Sequence, residues 1–253
     1  MPALFLPDAS DVADPRFFLD AELAAGATID LPTGVAHHAT HVLRLRDNDP
    51  IVLFNGGGGE YHGRLVARGS RAEVTAHLAI ERESALAVTL LQAWIATDKM
   101  EWVVEKAVEL GVARIVVAPA RRSVVQLEGA RLAKRMERLR DIVVAACCQC
   151  GRNRVPDVHA CGDLQDGLNR ATADAAGIVL QPDARDSLAD FARSAPASFA
   201  IAVGPEGGFE AGELALATRA GYRAVRLGPR VLRTETAGLA ALTTLQATVA
   251  DFR

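Results

Sequence analysis

The sequence predicts an α/β fold after residue 82, preceded by a segment that is mostly β. Beyond that point, apolar strand-like runs alternate with amphipathic helical segments, a pattern typical of a mostly parallel sheet with helices on both faces. Before it, short runs are separated by turns containing glycine or serine. The polar stretch ERESA (81–85) separates the two regions. We therefore expect two domains, residues 1–82 and 83–253, and the 253-residue length is sufficient for both to bury a core.

The first region contains three runs that predict strands: IVLFN (51–55), EYHGRLVAR (60–68) and AEVTAHLAI (72–80). A run of glycines, Gly56 to Gly59, separates the first two. Glycines can surround a phosphate, but no Lys-Ser/Thr pair or helix follows, as a P-loop would require. A hairpin tip is therefore the favoured interpretation.

The stretch HHATHVLRLRD (37–47) carries two kinds of candidate residue. His37 and His41 are four residues apart and would share one helix face, but no third metal ligand accompanies them. Capping or surface histidines are therefore favoured over a metal site. Arg44 and Arg46 are candidate contacts to a phosphate backbone.

The second region reads as alternating strands and helices. Asp98 and Glu101 form a D-x-x-E capping pattern before a helix that Gly111 ends, and a second helix is expected from about Glu128 to Cys150. The predicted strands are VTLLQAWI (88–95), RIVVAP (114–119), GIVLQ (177–181), FAIAVG (199–204) and AVRL (224–227).

Positive charge is concentrated in one stretch, although the whole chain has a net charge of −3. Residues 114–154 contain ten Lys and Arg and three acidic residues. The helix within this stretch is expected to present Arg131, Lys134, Arg135 and Arg138 to solvent. Because charge acts over about 10 Å at ordinary salt, such a patch can bind phosphates regardless of net charge. A solvated helix face is the alternative.

Several function classes are disfavoured by absent motifs. No G-x-G-x-x-G follows a strand, no Walker A sequence occurs, and no G-x-S-x-G nucleophile elbow is present. The four cysteines, Cys147, Cys148, Cys150 and Cys161, lack the paired spacing of a zinc site, so we expect no metal. The N-terminal MPALFLPDASD has no export signal pattern and no run is long enough to span a membrane, so we expect a cytoplasmic protein.

Three loops follow predicted strands and are candidates for ligand binding: Gln181-Pro182, GPEGGF (204–209) and LGPRVLRTET (227–236). Ligands on parallel sheets bind at the carboxyl ends of strands. Glycine allows a ligand to approach the backbone closely, and proline stiffens the turn. These loops suit a flat, nucleotide-like ligand bound largely by backbone groups.

Four pieces of the sequence closely resemble the RsmE family, the ribosomal RNA small-subunit methyltransferase E group. They are KMEWVVEKAVELGV (99–112), CQCGRNRVP (148–156), VGPEGGF (203–209) and LGPRVLRTETAGLAAL (227–242). The resemblance covers essentially the whole chain. It implies methylation of N3 of a uridine in 16S rRNA with S-adenosylmethionine as the methyl donor. The chain has Cys148 where many relatives carry a glutamate.

The same resemblance implies the architecture and the cofactor site. We expect a PUA-like β-barrel, then a SPOUT domain whose C-terminal segment threads a trefoil knot, and a homodimer. The cofactor residues carried over from the family are Leu180, Pro182, Gly204, Pro205, Glu206, Gly207, Leu227, Gly228, Arg230 and Leu232.

The reaction assigns roles to two further residues. Uridine N3 carries a proton, so the enzyme must stabilise the imide anion and accept that proton. Arg233 is the candidate for the first task; Glu235 either accepts the proton or orients Arg233. Arg152 and Arg154 are candidate phosphate contacts. A different RNA target, or RNA binding without turnover, remains an alternative.

Overall fold

The structure is a computed structural model that describes residues 14–172, 175–193 and 198–252. The chain divides into two compact units. The first comprises Met1–Arg82 together with Gly151–Arg154, and the second comprises Glu83–Cys150 and Val155–Arg253. The N-terminal residues 1–13, on which the export-signal interpretation depended, lie outside the described residues.

The first unit contains a five-stranded sheet with the strand order β1-β3-β4-β5-β2. Strands β3 and β4 pair in antiparallel register, with Leu53 opposite Tyr61, so the glycine run between them is a hairpin connection, as predicted. A short helix, α1, continues into one π-helical turn, His38–Val42. The elements are β1 (Arg16–Phe18), β2 (Thr28–Asp30), α1 (Thr33–His37), β3 (Pro50–Phe54), β4 (Glu60–Val66) and β5 (Arg71–Leu78).

The apolar core of this unit comes from alternate positions of its strands. Phe17, Ile51, Leu53, Leu65 and Val74 are almost fully buried and belong to one cluster. Because side chains alternate across a strand, these residues line the same interior while their neighbours face outward.

A buried ion cluster completes the first unit. Glu60, in β4, accepts hydrogen bonds from Arg16 at 2.8 Å and Arg82 at 3.0 Å. Arg16 also donates to the Asn153 side chain, and Asn153 donates to the Ile80 carbonyl at 2.6 Å. Burial raises the pKa of Glu60, but hydrogen bonds from Arg16, Arg82 and His62 outweigh it and lower the pKa to about 2. Glu60 therefore stays charged near neutral pH. Its arginine partners offset the cost of burying that charge.

The second unit is built on a seven-stranded parallel sheet with the order β10-β12-β9-β11-β6-β7-β8. All five predicted strands are present. The strands are β6 (Ala87–Ala93), β7 (Arg114–Ala118), β8 (Asp157–Ala160), β9 (Ala176–Leu180), β10 (Asp186–Ser187), β11 (Ser198–Val203) and β12 (Arg223–Arg226). The helices are α2 (Thr97–Glu109), α3 (Gly129–Cys150), α4 (Leu164–Ala171), α5 (Leu188–Ala192), α6 (Ala211–Arg219) and α7 (Thr234–Val249).

The interface between α2 and α3 corrects two predictions. The N-cap of α2 is Ala96, so Asp98 lies inside the first turn and the D-x-x-E capping interpretation is wrong. Glu101 instead binds Arg135 at 2.6 Å and Arg138 at 3.2 Å. Arg135 also donates to the Thr97 carbonyl, and its side chain is only 12% exposed. The expectation that it faces solvent is wrong because this bridge draws it between the helices.

Helix α7 packs across the sheet, against β11, β6, α2 and α5. Gly238 makes close packing possible, because an added Cβ would lie 3.1 Å from Leu90 and 3.3 Å from Val203. The chain reaches α7 from β12, which lies beyond β9 and is not beside β11, the strand that precedes it in sequence. No helix in the described part of the chain is long and apolar enough to cross a membrane.

Candidate functional site

One cavity of about 620 Å³ lies at the carboxyl ends of β9, β11 and β12. It occupies the position expected for ligands on a parallel sheet. All twelve residues predicted to bind the cofactor or to act in catalysis line it: Leu180, Pro182, Gly204, Pro205, Glu206, Gly207, Leu227, Gly228, Arg230, Leu232, Arg233 and Glu235. Three loops distant in sequence therefore converge on one space.

The loop after β11 is held in a tight turn. The Gly208 amide donates to the Pro205 carbonyl at 2.8 Å, and Gly208 has a φ of +69°. At Gly204, an added Cβ would lie 2.9 Å from the Phe209 nitrogen and 3.1 Å from the Gly208 carbonyl carbon. Only glycine fits there without moving the backbone, so the loop has little freedom at this point.

A buried hydrogen-bond bridge joins this loop to the start of α7. The Thr234 hydroxyl donates to the Gly204 carbonyl at 2.6 Å and accepts from Gln92 Nε2 at 3.0 Å. Gln92 is fully buried in β6, and Thr234 is 7% exposed. The bridge fixes the distance between two walls of the cavity.

The loop after β12 is shaped by one glycine and by contacts to the loop after β9. Gly228 has a φ of +132°, a conformation that disfavours side chains. The Gln181 amide donates to the Val225 carbonyl at 3.0 Å, and Arg226 donates to the Ala184 carbonyl at 3.2 Å. These bonds hold the loop after β9 and the loop after β12 beside each other.

A charged cluster occupies the side of the cavity nearest α2 and α7. The Lys99 amino group lies 3.6 Å from Glu206 Oε1 and 3.5 Å from Glu235 Oε2. Arg233 approaches the other oxygen of Glu235 at 4.0 Å, while its side chain is 80% exposed. Glu235 is 15% exposed, and its Oε2 makes no hydrogen bond to the described residues.

Sequence reasoning missed three cations that line this cavity: Arg226, at the end of β12, and two from other parts of the chain, Lys99 and Arg122. Arg122 follows β7, donates to the Gly207 carbonyl at 2.8 Å and lies 3.6 Å from Glu210. Lys99 and Arg122 lie outside the three strand-end loops on which the site prediction was based. The only sequence signal for Lys99 is that it opens the KMEWVVEKAVELGV piece.

The residues predicted to contact RNA occupy varied environments. Arg44 and Arg46 are exposed, and Arg44 has a φ of +59°. Arg138 is 58% exposed and Arg154 is 55% exposed, although each is paired with a glutamate. Arg152, at 5% exposure, and Arg135 are largely buried. All six stay predictions as RNA contacts, but the two buried guanidinium groups offer little surface to a phosphate.

No group of three or more His, Cys, Asp or Glu side chains in the described residues is arranged to hold a metal ion. His37 and His41 stack with ring centroids 4.5 Å apart and planes 7° apart. None of the four cysteines, all of which lie in the described residues, forms a disulfide. Burial, followed by a hydrogen bond with Asp166, raises the pKa of Cys161 to about 11, so this thiol stays protonated near neutral pH.

Comparison with protein families defines the class to which this fold and site belong. Residues 82–246 match an RNA methyltransferase domain, and residues 31–76 match an RNA methyltransferase PUA domain. Together with the parallel sheet and the three-loop cavity, these matches confirm the predicted fold class.

Individual relatives narrow the class to one family. Ribosomal RNA small subunit methyltransferase E of Mycobacterium bovis is 34% identical over 236 residues, which cover 89% of this chain and 88% of its own. The Neisseria gonorrhoeae enzyme of the same name, crystallised with S-adenosyl methionine, is 38% identical with a TM-score of 0.87, covering 95% of this chain and all of its own. A Legionella pneumophila methyltransferase solved with the cofactor SAM is 32% identical with a TM-score of 0.88, at the same coverage.

This chain belongs to the ribosomal RNA small subunit methyltransferase E family. The resemblance found in its sequence is thereby confirmed.

The chemistry of the cavity fits a nucleoside ligand that carries charged groups. Leu180, Leu227 and Leu232 supply apolar surface for a flat base, and the glycine loops bring backbone groups close. Lys99, Glu206 and Glu235 supply charges of both signs at one side. The volume falls within the range of small-molecule pockets, about 300–1,000 Å³.

Proposed function

We propose that this protein is an S-adenosylmethionine-dependent methyltransferase that modifies N3 of a uridine in the 16S rRNA of the small ribosomal subunit. The observation that carries the proposal is the single cavity in which all twelve predicted site residues meet. Family membership supports the reaction and substrate class, since relatives bear the name of ribosomal RNA small subunit methyltransferase E. Related structures that contain the cofactor support its identity.

When bound, S-adenosylmethionine supplies a sulfonium methyl group, which passes to N3 as its bond to sulfur breaks. The protein then has three tasks: to orient the uridine, to stabilise the imide, and to take the N3 proton. Arg233 is exposed at the cavity mouth and donates hydrogen bonds to an imide oxygen. Glu235 accepts the proton through Oε1, the carboxylate oxygen that faces Arg233 at 4.0 Å, whereas Oε2 is buried and faces Lys99 at 3.5 Å.

The acceptor base must enter the cavity unpaired, because N3 lies on the Watson–Crick edge. The exposed arginines at the mouth, Arg122, Arg230 and Arg233, provide positive charge where the RNA backbone approaches. Arg138 in the second unit, and Arg44, Arg46 and Arg154 in the first, are further proposed RNA contacts. Alanine substitution of Arg44 and Arg46 should weaken binding across RNA sequences and reduce the salt slope by about one per lost contact.

The deciding experiment is methyl transfer from labelled S-adenosylmethionine to undermethylated small subunits, with the product nucleoside identified by mass spectrometry. We expect N3-methyluridine. Transfer to another position would assign a different target, and cofactor binding without transfer to ribosomal RNA would point to another RNA. The absence of both transfer and cofactor binding would contradict the proposal and favour RNA binding alone.

Arg233→Ala tests the role given to that residue. We expect a loss of about 100-fold or more in kcat with little change in cofactor affinity, because the lost donor acts in the transition state. A wild-type rate would refute the assignment.

The same proposal includes four further features of the protein: a domain boundary at residues 82/83, a trefoil knot formed by the C-terminal segment, a homodimer and a cytoplasmic location. The strand order, in which β12 lies beyond β9 and α7 returns across the sheet, supports a threaded C-terminal segment. Light scattering tests the dimer, since a species near 26.8 kDa would be a monomer.

A further inference from the structure

The clearest unassigned feature at the cavity is the lysine between its two carboxylates. Lys99 lies in the first turn of α2, where the helix dipole disfavours a positive charge. Its amino group is placed between Glu206, from the loop after β11, and Glu235, from the start of α7. These opposite charges offset the unfavourable position, so three elements meet at this one side chain.

The geometry makes Lys99, and not Arg233, the closer partner of Glu235. Lys99 is 27% exposed and lies 3.5 Å from Glu235, whereas Arg233 is 80% exposed and lies 4.0 Å away. Charge pairs shielded from water interact more strongly than exposed ones. Lys99 is therefore the stronger partner of Glu235, and Arg233 is held only weakly at the mouth.

Glu206, the other carboxylate beside Lys99, is itself held at the N-terminus of α2. Glu206 Oε1, which lies 3.6 Å from the lysine, also accepts from the Ala96 amide at 3.5 Å, at the N-terminus of α2. The lysine is thus held by the cofactor loop as well as by its own helix. Its ammonium group can then define the position of the Glu235 carboxylate.

We propose that Lys99 is a positioning residue that holds Glu235 in place to accept the N3 proton and leaves Arg233 free to meet the uridine. This inference rests on the proposed function. It assigns Glu235 to proton transfer and not to the orientation of Arg233.

The test compares Lys99→Met, which keeps the side-chain length but removes the charge, with Lys99→Arg, Glu235→Gln and the Lys99→Met/Glu235→Gln double variant. Lys106→Met is the matched control, because Lys106 also lies on α2 and pairs with two glutamates at 2.7 Å, but does not line the cavity. For each variant, kcat and KM are measured together with S-adenosylmethionine affinity by calorimetry.

We expect Lys99→Met to lower kcat about 10-fold or more, with cofactor affinity within about 3-fold, because a misplaced proton acceptor slows the chemical step. Lys99→Arg should restore most of the rate. In the Glu235→Gln background, adding Lys99→Met should lower kcat by less than about a further 2-fold, because the effects of residues that act as a unit are not additive. Multiplicative losses, or a loss confined to cofactor affinity, would overturn the proposal.

A second measurement does not depend on methyl transfer. In a double-mutant cycle of urea unfolding, Lys99 and Glu235 should couple by about 3-fold in the unfolding equilibrium constant, and Arg233 and Glu235 by less. Stronger coupling of Glu235 to Arg233 than to Lys99 would refute the inference, even if the enzyme is active. If wild-type protein makes no N3-methyluridine, the proposed function fails, while this cycle still decides which cation holds Glu235.

Discussion

Thr234→Val is the substitution that most directly tests how the cavity is held together. Valine has nearly the shape of threonine, so the change removes the hydroxyl and little else. The Gly204 carbonyl loses its donor at 2.6 Å, and Gln92 Nε2 loses its acceptor at 3.0 Å. Two polar groups on different elements are left without this partner.

The structure sets the expected size of the effect. A buried polar group that loses its partner costs about 1–3 kcal/mol. Gln92 keeps a longer bond to the Ala93 carbonyl at 3.3 Å, and Gly204 is only half-buried, so we expect a total of about 2–3 kcal/mol. In a domain of this size, that lowers Tm by roughly 4–12 °C.

Thermal unfolding and calorimetric titration with S-adenosylmethionine measure the two consequences. We expect the lower Tm together with about 10-fold weaker cofactor binding, because the bridge fixes two cavity walls. Thr236→Val, on the exposed side of the same helical turn, is the control and should change neither. Adding Gln92→Leu should recover part of the lost stability, because it removes one unpaired group. Wild-type Tm and affinity in Thr234→Val would refute the reasoning.

Two further predictions concern acid stability and loop geometry. The pKa of Glu60 is lowered to about 2 from 4.5, so its contribution to stability is present above pH 4.5 and is lost as the pH falls towards 2. Urea unfolding of Glu60→Gln tests this. The variant should be less stable than wild type at pH 6, and the difference in the free energy of unfolding should shrink below pH 4. Gly204→Ala should weaken S-adenosylmethionine binding without loss of helix by circular dichroism, because the new methyl group would meet the Phe209 nitrogen at 2.9 Å.

The main strands could be predicted from sequence because each buries a continuous apolar run. The missed strands are short: Arg16–Phe18 and Thr28–Asp30 have three residues each, Asp157–Ala160 has four, and Asp186–Ser187 has two. Segments this short carry too few side chains to establish a period. They become strands because longer neighbours offer an edge to pair with, which is a tertiary effect.

The cavity loops could be predicted because parallel strands present their carboxyl ends at one edge. Lys99 could not, because its importance depends on Glu206 and Glu235, more than a hundred positions away along the chain. Arg135 was placed in solvent by helical periodicity alone. Periodicity identifies a helix face but does not reveal that Glu101 of another helix faces it.

The strand order also determines when the cavity can form. Its walls include eleven of the residues from Val225 to Ala237, which follow or belong to β12, the last strand of the sheet in sequence, and β12 pairs with β9 and β10. These contacts join segments far apart in sequence, and such contacts form slowly because distant segments must first be brought together. Most of the sheet can therefore assemble during synthesis before a binding site exists. We expect affinity for the methyl donor to appear as a late, separate kinetic phase in refolding, after most of the secondary structure has formed.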